Sequence, residues 1–253
     1  MSTFTSQSAG FTAAAHHDQD SISVNDTTSH VVVFSLNSQA GDTVSQLAAE
    51  AGAQTSSFSS VEAWQQAATS GNGSTLAASL STEPSAATPS LVVLTGSPAD
   101  WLDGDSLSQL QEALPGTAIA AALSSPSPHD VINFVRHGAI DVILLDDDDA
   151  HQKQAFAAAL NKGNRIAKAV AEQKLYGERL EKLTPAEDQV LDEMLVGMAN
   201  KQIAQALEIG LRTVELRRSK IMRKMQAKSL AELIKFVCIA RGFGSVDRQA
   251  ANA

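Results

Sequence analysis

The sequence predicts an α/β chain in which a doubly wound parallel sheet of flavodoxin-like order is followed by a small all-helical domain. Three observations support this prediction. Short apolar runs alternate with helical segments over residues 30–150, whereas helix-start signals and helically spaced apolar residues dominate residues 183–240. The charge also divides, because residues 183–253 hold eleven basic and eight acidic side chains while Arg136 is the only Lys or Arg in residues 1–152. This asymmetry favours two domains with different partners.

The sheet is predicted from four strongly apolar segments. Strands that are covered on both faces of a parallel sheet are continuously apolar rather than alternating. These segments are Val31–Phe34, Leu91–Leu94, Ala118–Ala121 and Ile140–Leu145, and a weaker strand is expected near residues 53–58. Helices are expected between them at about 42–51, 60–69, 105–114 and 128–138. The alternation predicts right-handed crossovers with helices on both faces of the sheet.

Three further segments lie outside these elements. Residues 1–29 lack apolar periodicity and are predicted to form a disordered arm. Residues 70–89 are predicted to form a long loop. Residues 151–182 are predicted to be a helical linker that continues the last helix of the sheet domain, and its two glycines, Gly163 and Gly177, predict a semi-flexible segment.

Composition disfavours several classes of protein. The single cysteine, Cys238, leaves no internal disulfide and no cysteine-based zinc site. No apolar run approaches the roughly eighteen residues of a membrane span, and the amino terminus lacks a signal-peptide pattern, so a cytoplasmic location is expected. No nucleophile–base pair, phosphate-binding loop or metal cluster is evident. We therefore predict no enzymatic activity, no catalytic residues, no metal and no cofactor.

Two capping boxes mark helix starts in the C-terminal segment. Thr184 can cap a helix that has Pro185 at its first position and Glu187 at its third. Ser229 and Glu232 form the same pattern ahead of a fourth helix that runs to about residue 240. The segment from 183 to 253 is therefore predicted to be a separate helical domain.

Two more helices are predicted between the capping boxes. A short helix opens at Asn200 and a longer one near Leu211, with a break at Gly210. Ala204 and Val214 are spaced so that a small residue lies where the two helices cross. This arrangement is typical of a helix-turn-helix. The positions expected on the inner faces are Val190, Leu191, Met194, Leu195, Ile203, Ala204, Leu207, Val214, Ile221 and Met225.

The outer face of the third helix is a candidate DNA-binding surface. A helix-turn-helix places its second helix in the major groove, and clustered cationic side chains suit contacts to phosphate. A solvated charged helix in an ordinary bundle is the alternative, but the capping boxes, helix lengths and small-residue crossing together favour DNA binding. This face carries Arg212, Glu215, Leu216, Ser219, Lys220 and Arg223, and the basic groups within residues 217–224 are Arg217, Arg218, Lys220, Arg223 and Lys224.

Residues 183–236 resemble the LuxR/FixJ-type helix-turn-helix of bacterial response regulators. The resemblance is carried by Leu183-Thr184-Pro185-Ala186-Glu187, Asn200-Lys201-Gln202-Ile203-Ala204, Arg212-Thr213-Val214-Glu215 and Ser229-Leu230-Ala231-Glu232-Leu233. It implies a four-helix unit that binds double-stranded promoter DNA as a homodimer, in which the last helix contributes the dimer contact. The sequence departs from the family at Gly210, where a capping serine is common, and at Leu211, where a polar residue is usual. Glycine still serves as an N-cap, so we expect the fold to be kept and the operator preference to be unusual.

The resemblance also implies roles for individual residues. Base-facing positions fall on Glu215, Leu216 and Ser219, and phosphate-facing positions fall on Lys201, Thr213, Arg217 and Lys220. For the dimer contact, the fourth helix holds more apolar residues than one small helix needs for its own core. The residues expected to pair with a second copy are Leu233, Phe236 and Val237.

The α/β domain resembles, through residues 137–142, the receiver domain that precedes such modules. A working receiver needs an acidic pair after strand one, an Asp ending strand three, Ser or Thr ending strand four and Lys ending strand five. The carboxylates hold Mg²⁺ and the Asp attacks phosphorus. Those places fall on Ser35, Leu36, Leu94, Ala122 and Leu145. None supplies the required group, so the resemblance implies a pseudo-receiver over residues 30–150.

Two features near these places leave alternatives open. Thr95 and Ser124 lie next to the assigned positions, so a small shift in alignment would change the residue identities, although no carboxylate ends strand one or strand three. The run Asp146–Asp149 follows strand five. Consecutive carboxylates point in different directions, and a helix N-terminus that favours negative charge explains the run more simply than a metal site.

The sequence as a whole therefore predicts an atypical response regulator. It would bind DNA, regulate transcription and be controlled independently of aspartyl phosphorylation. A protein partner on the acidic N-terminal domain is the first candidate for the input, with a small ligand or no input also open. The alternative function is a protein-interaction adaptor that sequesters a regulator or polymerase subunit with little DNA binding. The salt dependence of binding to promoter DNA distinguishes the two.

Overall fold

The computed structural model describes residues 29–69, 89–102 and 106–242. The predicted arm over residues 1–29 lies outside the described residues except for Ser29, and the predicted loop over 70–89 lies outside them except for Pro89. None of the described helices is long and apolar enough to cross a lipid bilayer.

Five parallel strands form one sheet in the order β2-β1-β3-β4-β5. This is the flavodoxin-like order, and it confirms the predicted fold class. The weak strand expected near 53–58 is present at the sheet edge beside β1. The bounds are β1 His30–Ser35, β2 Gln54–Phe58, β3 Leu91–Thr95, β4 Ile119–Leu123 and β5 Asp141–Leu144.

Helices cover both faces of the sheet, and the two strands β3 and β4 are therefore buried along their whole length. One face packs against the first and last helices through Val44, Leu47 and Phe156. The other face packs against the remaining helices through residues such as Trp64 and Phe134. The helix bounds are α1 Ser38–Glu50, α2 Val61–Thr69, α3 Pro98–Leu102, α4 Ser106–Ala113, α5 Pro128–Arg136 and α6 Asp149–Glu181. Short α3 was not predicted from the sequence.

Helix α6 is continuous for 33 residues, and neither of its glycines interrupts it. A Cβ atom at Gly163 would lie 2.2 Å from the carbonyl oxygen of Ser90, so glycine there permits close packing of the helix against the start of β3. A Cβ atom at Gly177 would meet nothing within 4 Å. The helix is continuous where a semi-flexible segment was expected, since one glycine serves the packing and the other is accommodated in a helix that packs at both ends.

Within residues 183–242 the C-terminal domain has four helices around a separate core. They are α7 Pro185–Val196, α8 Asn200–Ala206, α9 Leu211–Met225 and α10 Leu230–Ala240. All ten residues predicted for its inner faces lie in or against this core. The second half of α6 joins it, since Tyr176 and Leu180 pack against the same cluster.

Candidate nucleic-acid interface

The α8–turn–α9 unit has the geometry of a helix-turn-helix. Ile203 of α8 and Val214 of α9 are fully buried where the two helices pack, and Ala204 is half-buried beside them. The turn reverses at Glu208, whose φ of 53° is left-handed, and the N–H of Ile209 then donates to the Ala204 carbonyl at 3.0 Å. Gly210 is the N-cap of α9, as expected, and gives no side-chain capping bond.

The outer face of α9 is open to solvent over its length. Leu216 is 56% exposed at the centre of this face. Lys201 lies at the start of α8 and is also exposed. The other exposed side chains on this surface are Arg212, Thr213, Glu215, Ser219, Lys220 and Arg223.

Two of the five basic residues in the 217–224 segment face inward instead. Arg217 is half-buried and donates from Nη1 to the Ala186 carbonyl at 3.3 Å. Lys224 donates to Glu187 Oε2 at 2.5 Å and to the Lys182 carbonyl at 2.9 Å. These bonds attach α9 to the start of α7, and the phosphate contact that the resemblance implies for Arg217 stays a prediction.

Glu187 is the acceptor at the centre of this attachment. Its side chain is 6% exposed, and it also accepts the N–H of Thr184 at 2.9 Å, which completes the predicted capping box. The hydrogen bond from Lys224, and after it the bond from the Thr184 N–H, lower the pKa of Glu187 to about 2. The carboxylate is thus ionised and paired at neutral pH.

Helix α10 does not present the predicted dimer residues. Leu233, Phe236 and Val237 are at most 8% exposed within the C-terminal core, and Tyr176 of α6 stacks on Phe236 with 4.2 Å between ring centres. In this structure the three residues belong to the core of their own domain, and their contact with a second copy stays a prediction. The large apolar side chains of α10 that remain exposed are Leu230 and Ile234, at 40% and 36%.

The second predicted capping box is half-formed. Ser229 caps α10 and accepts the Glu232 N–H at 3.1 Å. The Glu232 carboxylate accepts the N–H of Lys228 at 2.6 Å, one residue before the cap. The helix start is confirmed, although the reciprocal bond differs from the prediction.

The carboxyl edge of the sheet holds the positions at which the sequence analysis expected the receiver's acidic and hydroxyl groups. Strand β3 ends on Thr95, whereas Leu94 lies fully buried in the core on one face of the sheet, so the assignment of Leu94 to the acceptor position was wrong by one residue. The Thr95 hydroxyl donates to Ser35 Oγ at 2.8 Å and is fully buried. Ala122 is its β4 neighbour, and Leu145 follows β5.

A cleft of about 450 Å³ opens beside Thr95 at this edge, lined in part by Leu36, Gly96 and Asp100. Asp100 accepts the N–H of Ser97 at 2.8 Å, and Asp130, also in the lining, caps α5 with Ser127. The sequence did not place these two carboxylates at the edge, because the chain returns them there from helices rather than from strand ends.

The aspartate run after β5 is divided among separate structural contacts. Asp146 accepts both the N–H and, at 2.5 Å, the hydroxyl of Ser125. Asp148 is the N-cap of α6, and Asp149 pairs with Lys153 at 2.6 Å. Within the residues that the structure describes, no three His, Cys, Asp or Glu side chains are grouped as metal ligands would be. The contacts agree with the helix-terminus interpretation of this run.

Residues 181–237 match the family of bacterial regulatory proteins, luxR family. The chain is 32% identical to the transcriptional regulatory protein FixJ of Bradyrhizobium diazoefficiens over 104 residues, covering 41% of this chain and 51% of FixJ. It is 38% identical to the tetrathionate response regulatory protein TtrR of Salmonella typhimurium over 104 residues, covering 41% of this chain and 48% of TtrR. The chain thus spans about half the length of the curated relatives it matches.

The fold also matches a solved structure over most of both chains. The response regulator StyR superposes with a TM-score of 0.58 at 21% identity, covering 83% of this chain and 98% of StyR. At this identity the likeness shows the fold alone, which is a receiver fold followed by a helical domain, and it is the helical domain that matches the luxR family. The matched families are regulatory rather than enzymatic, in agreement with the predicted absence of enzymatic activity.

Proposed function

We propose that this chain is a response regulator of the LuxR/FixJ type that binds promoter DNA and regulates transcription without aspartyl phosphorylation. Its receiver fold and its C-terminal domain support this proposal. The observation that carries the DNA-binding proposal is the solvent-exposed outer face of α9, where Lys220 and Arg223 extend freely beside an exposed Leu216. An exposed apolar side chain among cations suits the major groove, where thymine methyl groups meet apolar atoms. Such a regulator acts in the cytoplasm, where chromosomal DNA lies.

The residues of this surface would divide between positioning and sequence recognition. Glu215, Leu216 and Ser219 are proposed to face base edges, since Glu can accept from cytosine N4 and Ser can bond either base type. The proposed phosphate contacts are Lys201, Arg212, Thr213, Lys220 and Arg223. Arg217 is assigned to holding α9 against α7 through its bond to Ala186.

The test begins with selection of a duplex from a genomic DNA pool by the full chain. For the selected duplex, Lys220→Ala and Arg223→Ala should each lower the slope of log affinity against log salt by about one. Lys168→Ala, which removes an exposed charge from α6, is the matched control and should leave the slope unchanged. Leu216→Ala should change which sequence is selected. A full chain that selects no duplex and shows no salt-sensitive binding would favour the adaptor function.

Independence from phosphorylation is proposed from the chemistry at the sheet edge. Thr95 ends β3 and Ser35 ends β1, and at both places a receiver would present an acidic residue. Here the Thr95 hydroxyl donates to the Ser35 hydroxyl instead. Neither hydroxyl holds Mg²⁺ as a carboxylate pair does, and neither forms an acyl phosphate. Leu145, after β5, offers no cation to a phosphoryl oxygen.

Incubation of the full chain with acetyl phosphate and Mg²⁺, followed by intact-mass analysis, tests this part. We expect no added phosphoryl group. A stoichiometric adduct that is removed by hydroxylamine would contradict it, and Asp100→Asn and Asp130→Asn variants would then report whether a cleft carboxylate is the acceptor.

We further propose that two copies bind together on DNA. With Leu233, Phe236 and Val237 buried, the contact would use the exposed Leu230 and Ile234 of α10. A pair this small would be weak without DNA. Footprints should cover two half-sites about one helical turn apart, whereas a single protected half-turn would contradict dimeric binding. The acidic N-terminal domain is proposed to receive the input from a protein partner.

A further inference from the structure

Helix α9 ends with a residue other than glycine in the left-handed conformation. The N–H of Gln226 donates to the Arg223 carbonyl and that of Ala227 to the Met222 carbonyl, which is the Schellman arrangement. The left-handed position, which favours glycine, is held by Gln226 at φ 55°. The carbonyl of Met225 still needs a donor from outside α9.

That donor comes from α6, the last helix of the receiver domain. Arg179 Nη1 donates to the Met225 carbonyl at 3.1 Å, and Arg179 Nη2 donates to Gln226 Oε1 at 2.7 Å. The guanidinium lies 5.5 Å from the ring centre of Tyr176, which itself stacks on Phe236. One arginine thus satisfies the open carbonyl, holds the left-handed residue and places a cation where the negative end of the α9 dipole lies.

We propose that Arg179 is a positioning residue for DNA binding, fixing the last turn of α9 from the receiver's own helix. The proposal rests on the DNA-binding function assigned to α9. Arg223 lies in the turn that Arg179 holds and carries one of the proposed phosphate contacts. The same helix buries Phe156 and Leu160 in the receiver core, so a single rigid element connects that core to the end of the recognition helix.

The partners of Arg179 distinguish this role from direct contact with DNA. Two of its N–H groups are committed to α9, and the side chain is half-buried against Tyr176. Loss of Arg179 should therefore loosen the end of α9 without removing a phosphate contact. Arg165, exposed on the same helix, gives a control with the same charge change.

The test compares full-length Arg179→Gln with Arg165→Gln by amide hydrogen exchange. In Arg179→Gln, the amides of Gln226 and Ala227 should exchange about three- to tenfold faster, as expected for the loss of one or two hydrogen bonds. Amides in α7 should be unchanged, which separates local loosening from unfolding of the domain. Arg179→Lys, which keeps one donor, should restore part of the protection.

Binding to the selected duplex gives the second readout. Affinity should fall about three- to tenfold in Arg179→Gln while the salt slope stays at its wild-type value. Equal exchange in Arg179→Gln and Arg165→Gln would overturn the proposal, as would a slope lowered by about one. If the wild-type chain binds no duplex, the proposed function fails, and the exchange data alone decide whether Arg179 fixes α9.

Discussion

Removing the charge of Glu187 should weaken the attachment of α9 to α7. Glu187→Gln is the informative change because glutamine can still accept the Thr184 N–H and keep the helix cap. It removes only the ionic part of the contact with Lys224, whose ammonium lies 2.5 Å from the carboxylate.

The pKa of Glu187 sets the size and the pH range of the effect. A fall from 4.5 to about 2 corresponds to at most about 3.4 kcal/mol. Because the Lys224 side chain is 28% exposed, solvent screening reduces the expected loss to about 1–2 kcal/mol at pH 7. The folded-state pKa is lowered, so this stabilisation is present above about pH 5 and is lost as pH falls towards 2.

The distribution of probes in the sequence allows each domain to be followed separately. Met194, Met198, Met222 and Met225 all lie in the C-terminal domain, and the other methionine is Met1. Both tryptophans, Trp64 and Trp101, lie in the sheet domain. Urea unfolding of the full chain can therefore be followed by methionine methyl NMR for the helical domain and by tryptophan fluorescence for the sheet, which avoids treating two domains as one transition.

Glu232→Gln is the matched control, because Glu232 also accepts a backbone N–H at a helix start. The free energy of unfolding of the C-terminal domain should fall by about 1–2 kcal/mol in Glu187→Gln at pH 7 and by less than half of that at pH 3, with tryptophan fluorescence unaffected. A loss that is equal at both pH values, or no larger than that of Glu232→Gln, would refute the reasoning.

Three further results are expected. Gly163→Ala should destabilise the sheet domain by at least about 2 kcal/mol in tryptophan-monitored urea unfolding, since its Cβ would lie 2.2 Å from a backbone oxygen. Gly177→Ala should instead stabilise α6 by up to about 1 kcal/mol. Equal effects of the two substitutions would contradict the packing described. A fragment 168–253 should unfold at higher urea than 183–253, because only the longer one keeps the aromatic stack on α10. Ile234→Glu should shorten the DNase footprint to one half-site without lowering the unfolding midpoint, and an unchanged footprint would exclude α10 from the dimer contact.

The strands and the C-terminal helices were predictable because their signals are local. Residues Leu91–Leu94 are all apolar, which alone predicts a strand that is buried on both faces. Thr184 and Glu187 mark a helix start within four residues. The inner face of α9 followed from the spacing of Val214 and Ile221.

Contacts between distant segments could not be predicted from the sequence. Phe236 is apolar, but nothing in the sequence near it indicates that it stacks on Tyr176, 60 positions earlier. Lys224 and Lys220 differ in role because one lies opposite Glu187, a partner 37 positions away. A long helix that returns to the second domain leaves no periodic signature at the residues it covers.

The most direct test of the central claim is the affinity of the full chain for its selected duplex, measured with and without acetyl phosphate and Mg²⁺ at two salt concentrations. We expect tight binding that weakens steeply with salt and is identical in both treatments. Binding that appears only after treatment, or that is absent under every condition, would contradict the claim that α9 binds promoter DNA independently of aspartyl phosphate.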